Sequence, residues 1–91
     1  MKLIIDAGHG AKDTGAFHGG YMEKDLNLIL AKRVRELLKD YNPAMTRTQD
    51  IQLDWKQRTN IIRDKYDICL SLHLNAGGGR GVETIHSIYS L

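Results

Sequence analysis

Two histidines and a glutamate stand out as residues able to do chemistry: His9, Glu23 and His73. Neutral imidazole nitrogen and carboxylate oxygen are zinc donors, and a His₂Glu set with an open fourth position is a catalytic arrangement. That position takes a water, whose pKa falls to around 7 on bound zinc, so hydroxide becomes available at neutral pH. Gly8 and Gly10 flank His9, which lets the backbone turn sharply beside a metal. Spacing alone does not single these three out. His18 and His86 compete for the ligand role. His18 lies in a glycine-rich loop and reads as solvated. His86 alternates with Ile85 and Ser87 and reads as exposed.

The same loop admits a phosphate-binding reading, with Gly8-His9-Gly10 and Gly15 after a strand. The dinucleotide pattern needs a third glycine where Asp13 stands, and the P-loop needs Gly-Lys-Ser/Thr where Gly15 is followed by Ala16-Phe17. Asp13 also repels phosphate. A serine or cysteine nucleophile is a further option. Ser71 and Cys69 sit within an apolar run, where core packing is the expected role, and no Gly-x-Ser-x-Gly elbow occurs.

The elements that must position these residues follow from hydrophobic periodicity. Leu3 to Ile5 reads as a buried strand that runs into Asp6, Ala7 and Gly8. Five glycines between positions 8 and 20 argue against regular structure there. From Met22 to Lys39 a helix is expected, because Leu26, Ile29, Leu30, Val34, Leu37, Leu38 and Tyr41 keep a three–four spacing. Asn42-Pro43 ends it. Ala44 to Arg47 suits a short strand. Leu53 to Lys65 suits a second helix, with Asp50 or Asp54 near its start. Asp67 to Leu74 and Val82 to Ile88 read as strands separated by Gly77-Gly78-Gly79. Strands alternating with helices give an α/β class, specifically a three-layer α/β sandwich with a mostly parallel sheet that stops after its fourth strand. His9 and His73 then fall at strand carboxyl ends, where open α/β sheets gather ligands. Glu23 opens the helix that starts at the same rim.

Bulk properties narrow the class. The chain has 91 residues, which allows one domain at most. Its net charge of +2, from 13 Lys+Arg against 11 Asp+Glu, is too balanced to imply nucleic acid. One cysteine excludes an internal disulfide. The N-terminal apolar run is too short for a signal peptide. No stretch approaches the ~20 apolar residues of a membrane span. The chain is therefore expected to be made in the cytoplasm and to act outside after release or export.

In combination the motifs resemble the zinc-dependent N-acetylmuramoyl-L-alanine amidases of bacterial autolysins and phage endolysins. The carrying segments are Ile4-Ile5-Asp6-Ala7-Gly8-His9-Gly10, Asp13-Thr14-Gly15-Ala16, and Glu23 ahead of Leu26-Asn27-Leu28. Further on come Met45-Thr46-Arg47-Thr48-Gln49-Asp50, Leu53 with Arg58, Ser71-Leu72-His73-Leu74-Asn75-Ala76, and Gly81-Val82-Glu83-Thr84. The resemblance covers nearly the whole chain. It implies Zn²⁺ as cofactor, held by His9, Glu23 and His73, and peptidoglycan as substrate. The bond cut would be the amide between N-acetylmuramic acid and the first L-alanine of the stem peptide. Asn75 would support the substrate or cap a loop. Arg47 and Arg58 match recurrent family positions and read as structural charges.

The resemblance also implies a departure. The family's domain is roughly twice this length, and its general-base glutamate is expected beyond Leu91. Glu83 matches a different, non-catalytic position. Residues 1–91 thus read as the N-terminal portion of a single amidase catalytic domain. General acid–base help is worth about 10²–10⁴-fold in rate, so a non-catalytic zinc- or peptidoglycan-binding module is the rival expectation. An uncovered apolar sheet face would invite self-association or a complementary C-terminal segment.

Overall fold

The computed structural model describes residues 1–74. The strand expected at 82–88, the glycine run at 77–79 and His86 lie outside them. The described elements are β1 (Leu3–Ala7), β2 (Phe17–His18), β3 (Tyr21–Met22), α1 (Glu23–Leu37), a 3₁₀ turn (Lys39–Tyr41), β4 (Ala44–Met45), α2 (Trp55–Ile62) and β5 (Ile68–Leu72).

The sheet has the order β4-β1-β5, with both pairings parallel. β1 is central and buried along its whole length. A central parallel strand is covered on both faces, which is why it reads as a continuous apolar run. The chain leaves β1 in one direction to reach β4, then returns past β1 to reach β5. Right-handed crossovers running in opposite directions place α1 and α2 on opposite faces.

The side chains agree with that layering. Ile5 and Ala7 face α1, where Ala31 is fully buried and Leu28 and Val34 pack against the cluster. Register puts Met45 beside Ile5 and Leu72 beside Ala7, so both extend the same face. Asp6 points to the other face. There it pairs with Arg58 of α2 and accepts hydrogen bonds from Thr46 Oγ1 and Ser71 Oγ, each 2.7 Å long. The α/β class and mostly parallel sheet expected from the sequence are thus present.

Three local readings change. The glycine-rich loop contains a hairpin: β2 and β3 pair antiparallel, with Phe17 opposite Met22 and His18 opposite Tyr21. Gly19 and Gly20 form its two-residue turn with φ of 58° and 84°. A type I′ turn requires positive φ at both positions, so here paired glycines make regular structure rather than forbid it. The buried stripe of α1 also differs. Its buried residues are Glu23, Asn27 and Ala31, whereas Ile29 and Leu37 are 62 % and 77 % exposed. The first turns of α1 face a polar site, so polar residues occupy its inner face. Finally, Asp54 rather than Asp50 caps α2, through a reciprocal capping box with Gln57. Asp50 instead binds Lys24 Nζ and the Ala11 N–H.

Candidate metal centre

β1 and β5 end side by side, and the two candidate histidines follow them directly. Gly8 N–H donates to Leu72 O at 3.1 Å, which carries the pairing one residue past the strand. The sequence suggests that the glycines around His9 serve a sharp turn. Gly10 fits, with φ of 152°, but His9 itself adopts φ of 63°. A left-handed non-glycine residue costs about 1–2 kcal/mol and must be held by its surroundings. Gly8 serves space instead. A Cβ there would lie 2.3 Å from His73 Cε1.

Two arginines hold the loop. Arg47 Nε donates to Ala7 O at 3.0 Å and its Nη2 to Gly8 O at 3.0 Å. The same nitrogen reaches Lys24 O at 2.9 Å. Arg58 Nη1 donates to Ala7 O at 3.0 Å, and its Nη2 to His9 O at 2.9 Å. The carbonyls of Ala7, Gly8 and His9 are thereby fixed by rigid donor forks, a geometry that lysine does not supply. The reading of both arginines as structural charges holds. Their targets were hidden in the sequence.

Glu23 opens α1 and is 5 % exposed. No side chain caps this helix. Loop carbonyls do so instead, with Glu23 N–H on Ala16 O and Lys24 N–H on Thr14 O. Glu23 Oε1 accepts from the Ala16 N–H at 3.0 Å. Its Oε2 accepts from Asn27 Nδ2 at 3.1 Å and from the Leu74 N–H at 3.0 Å. Burial alone would push this carboxyl up. The Ala16, Leu74 and Asn27 donors outweigh it and hold the pKa at about 2. Glu23 is therefore anionic at neutral pH, the form a metal takes.

The three residues converge. His9 Nε2 lies 3.2 Å from Glu23 Oε2, and His73 Nδ1 lies 3.3 Å from it. One ligand atom from each residue falls within 4.8 Å of the others. The imidazole rings meet edge to face with centroids 5.1 Å apart. Two donors bound to one tetrahedral zinc at 2.0–2.1 Å are separated by about 3.3 Å. The His–Glu edges match that separation, and the donor types suit the ion. The opening faces outward on the histidine side: the His9 and His73 side chains are 26 % and 46 % exposed, against 5 % for Glu23.

Other candidates separate from this cluster. His18 sits exposed on the hairpin. Ser71 is committed to Asp6, and Cys69 is exposed rather than packed in a core. Asn75 and Glu83 lie outside the described residues. Sequence reasoning missed two contributors. Asn27, fully buried, donates from one helical turn after Glu23 both to that carboxylate and to Gly8 O at 3.1 Å. Its polar side chain four residues beyond a candidate ligand was the available signal. Asp13 places both carboxylate oxygens 3.0 Å from His9 Nδ1; the two are four residues apart, but in a loop, where that spacing announces no contact.

Comparison with known proteins points to one family. A family model described as N-acetylmuramoyl-L-alanine amidase matches residues 3–90. The chain is 41 % identical over 88 residues to N-acetylmuramoyl-L-alanine amidase CwlM of Bacillus licheniformis, covering 91 % of this chain and 35 % of that protein. It is 40 % identical over 91 residues to an endolysin of Bacillus phage SPP1, covering 91 % and 33 %. Among solved structures it resembles the catalytic domain of CwlV, an N-acetylmuramoyl-L-alanine amidase from Bacillus (Paenibacillus) polymyxa var. colistinus. That match has a TM-score of 0.78 and 38 % identity, over 87 % of this chain and 48 % of that one. The chain thus spans about a third of the length of the curated relatives named.

Proposed function

The chain belongs to the N-acetylmuramoyl-L-alanine amidase family, and from that premise we propose that it acts in hydrolysis of the amide joining N-acetylmuramic acid to L-alanine in peptidoglycan. In this reading His9, Glu23 and His73 hold Zn²⁺. The observation that carries it is the convergence of these three residues at the ends of β1 and β5 and the start of α1, at separations suited to one tetrahedral ion.

Zn²⁺ held there supplies Lewis acidity at neutral pH, enough to polarise a carbonyl and acidify a water. The chain's residues supply the rest. Glu23 brings one negative charge, kept ionised by its donors. The arginine-bound carbonyls of Ala7, Gly8 and His9 keep the His9 backbone from relaxing out of its left-handed conformation. The exposed histidine edges leave an approach for a polymeric substrate. Among the described residues, Glu23 and Asp13 are the carboxylates touching the cluster, and both are committed to holding it. Proton transfer therefore falls to a carboxylate elsewhere in the domain. This fits residues 1–91 as the N-terminal portion of one catalytic domain, since the chain matches 48 % of a solved one. Among the described residues no helix is long and apolar enough to cross a membrane.

The test is to incubate purified peptidoglycan with the chain and zinc, then titrate free α-amino groups. Amide hydrolysis exposes the amine of L-alanine, so new N-terminal alanine is expected, at a rate lowered by the roughly 10²–10⁴-fold that general acid–base help is worth, and a chelator or His73→Ala abolishes it. Sedimentation with peptidoglycan without new amines would assign the chain a binding role instead.

A further inference from the structure

We propose that Asp13 is a positioning residue that selects the metal-binding tautomer of His9. The proposal rests on the reading of His9 as a ligand and assigns a role to a residue outside the His9, Glu23, His73 set.

The geometry is specific. Both Asp13 carboxylate oxygens lie 3.0 Å from His9 Nδ1. A carboxylate accepts only, so Nδ1 must carry the proton. Neutral His9 then presents a bare Nε2, and that nitrogen faces Glu23 Oε2 at 3.2 Å. Two acceptors held this close require a cation or a proton between them. The pairing of one ring nitrogen with a carboxylate and the other with a metal site is a recurring way to fix ring orientation.

Asp13 is half exposed, and a surface Asp–His pair is ordinarily weak. This one is built in. Gly10 and Asp13 exchange both backbone hydrogen bonds, at 2.8 and 2.9 Å. The Gly15 N–H donates to Asp13 Oδ1 at 3.3 Å and aims the carboxylate at the ring. The loop between His9 and Asp13 is thus closed on itself, with Arg58 fixing the His9 carbonyl at one end. His73 presents the opposite nitrogen, Nδ1, to Glu23, so the two histidines need different tautomers and cannot share one default.

The test uses the full chain, metal-free and ¹⁵N-labelled in its imidazoles, at a pH where histidine is neutral. The His9 signals are assigned by their loss in His9→Gln. Wild type is expected to show His9 protonated at Nδ1. Asp13→Ala is expected to move the proton to Nε2 and to weaken zinc binding about 10–100-fold in competition with a chromophoric chelator. Asp13→Asn keeps an acceptor oxygen and is expected to retain the tautomer with a smaller loss. A wild-type His9 protonated at Nε2, or an Asp13→Ala chain with unchanged tautomer and affinity, overturns the proposal. Wild type that binds no zinc overturns the ligand reading, while the ¹⁵N result still decides the role of Asp13.

Discussion

Gly8 and His73 are in such close contact that a methyl group on Gly8 would sit 2.3 Å from Cε1 of the His73 ring and 2.7 Å from both of its nitrogens. The end of β1 therefore forms the floor on which the second histidine rests. Gly8→Ala should push the ring off its position. Overpacking of this kind costs about 1–3 kcal/mol. The expected outcome is a folded chain with a modestly lower Tm and at least tenfold weaker zinc binding, checked by thermal unfolding and chelator competition. Unchanged affinity would mean that the ring has another place from which to bind.

Arg58 ties two functions together. It pairs with Asp6 inside the α2 face, with both side chains about a tenth exposed, and it holds His9 O. Removing one partner of a buried pair strands the other, at a cost of about 3 kcal/mol. Arg58→Ala should lose roughly that much stability in urea unfolding. Arg58→Lys keeps the charge beside Asp6 but not the fork. It should recover much of the stability while zinc affinity stays reduced, because His9 O is released. Equal recovery of both would show that the fork on the loop is dispensable.

Asp6 sets an acid sensitivity. Burial would raise its pKa, but the Ser71 and Thr46 hydroxyls and the Arg58 guanidinium outweigh burial and hold it below the ordinary value. A carboxyl depressed in the folded state gives stability that is full above the unfolded pKa of about 3.9 and is lost as pH falls through the folded value. Wild type should therefore lose stability below about pH 4. Asp6→Asn should be less stable at neutral pH and show a shallower acid slope. Denaturant midpoints taken across that range decide the matter, and parallel slopes would contradict it.

The fold was largely legible because its central layer is simple. Leu3 to Ala7 is buried on both faces, and the strand–helix alternation implies the parallel order. His9 and His73 were legible because both stand where strands end. What escaped were features that depend on tertiary encounter. The inner stripe of α1 was misjudged because Glu23 and Asn27, not Ile29 and Leu37, face the sheet rim. The β2–β3 hairpin was lost among glycines that shape it. Arg47 and Arg58 were recognisable as structural, but nothing local says that their forks converge on three successive carbonyls from 39 to 51 residues away. Asp13 was visible as a residue, yet its grip on His9 needs the closed loop between Gly10 and Asp13.

The most direct test of the central claim is zinc content, measured by elemental analysis on chain refolded with zinc and then dialysed. One equivalent per chain is expected for wild type, with loss in His9→Ala, Glu23→Ala and His73→Ala. Less than about half an equivalent in wild type, or a full equivalent surviving in His73→Ala, would contradict a metal centre built from His9, Glu23 and His73.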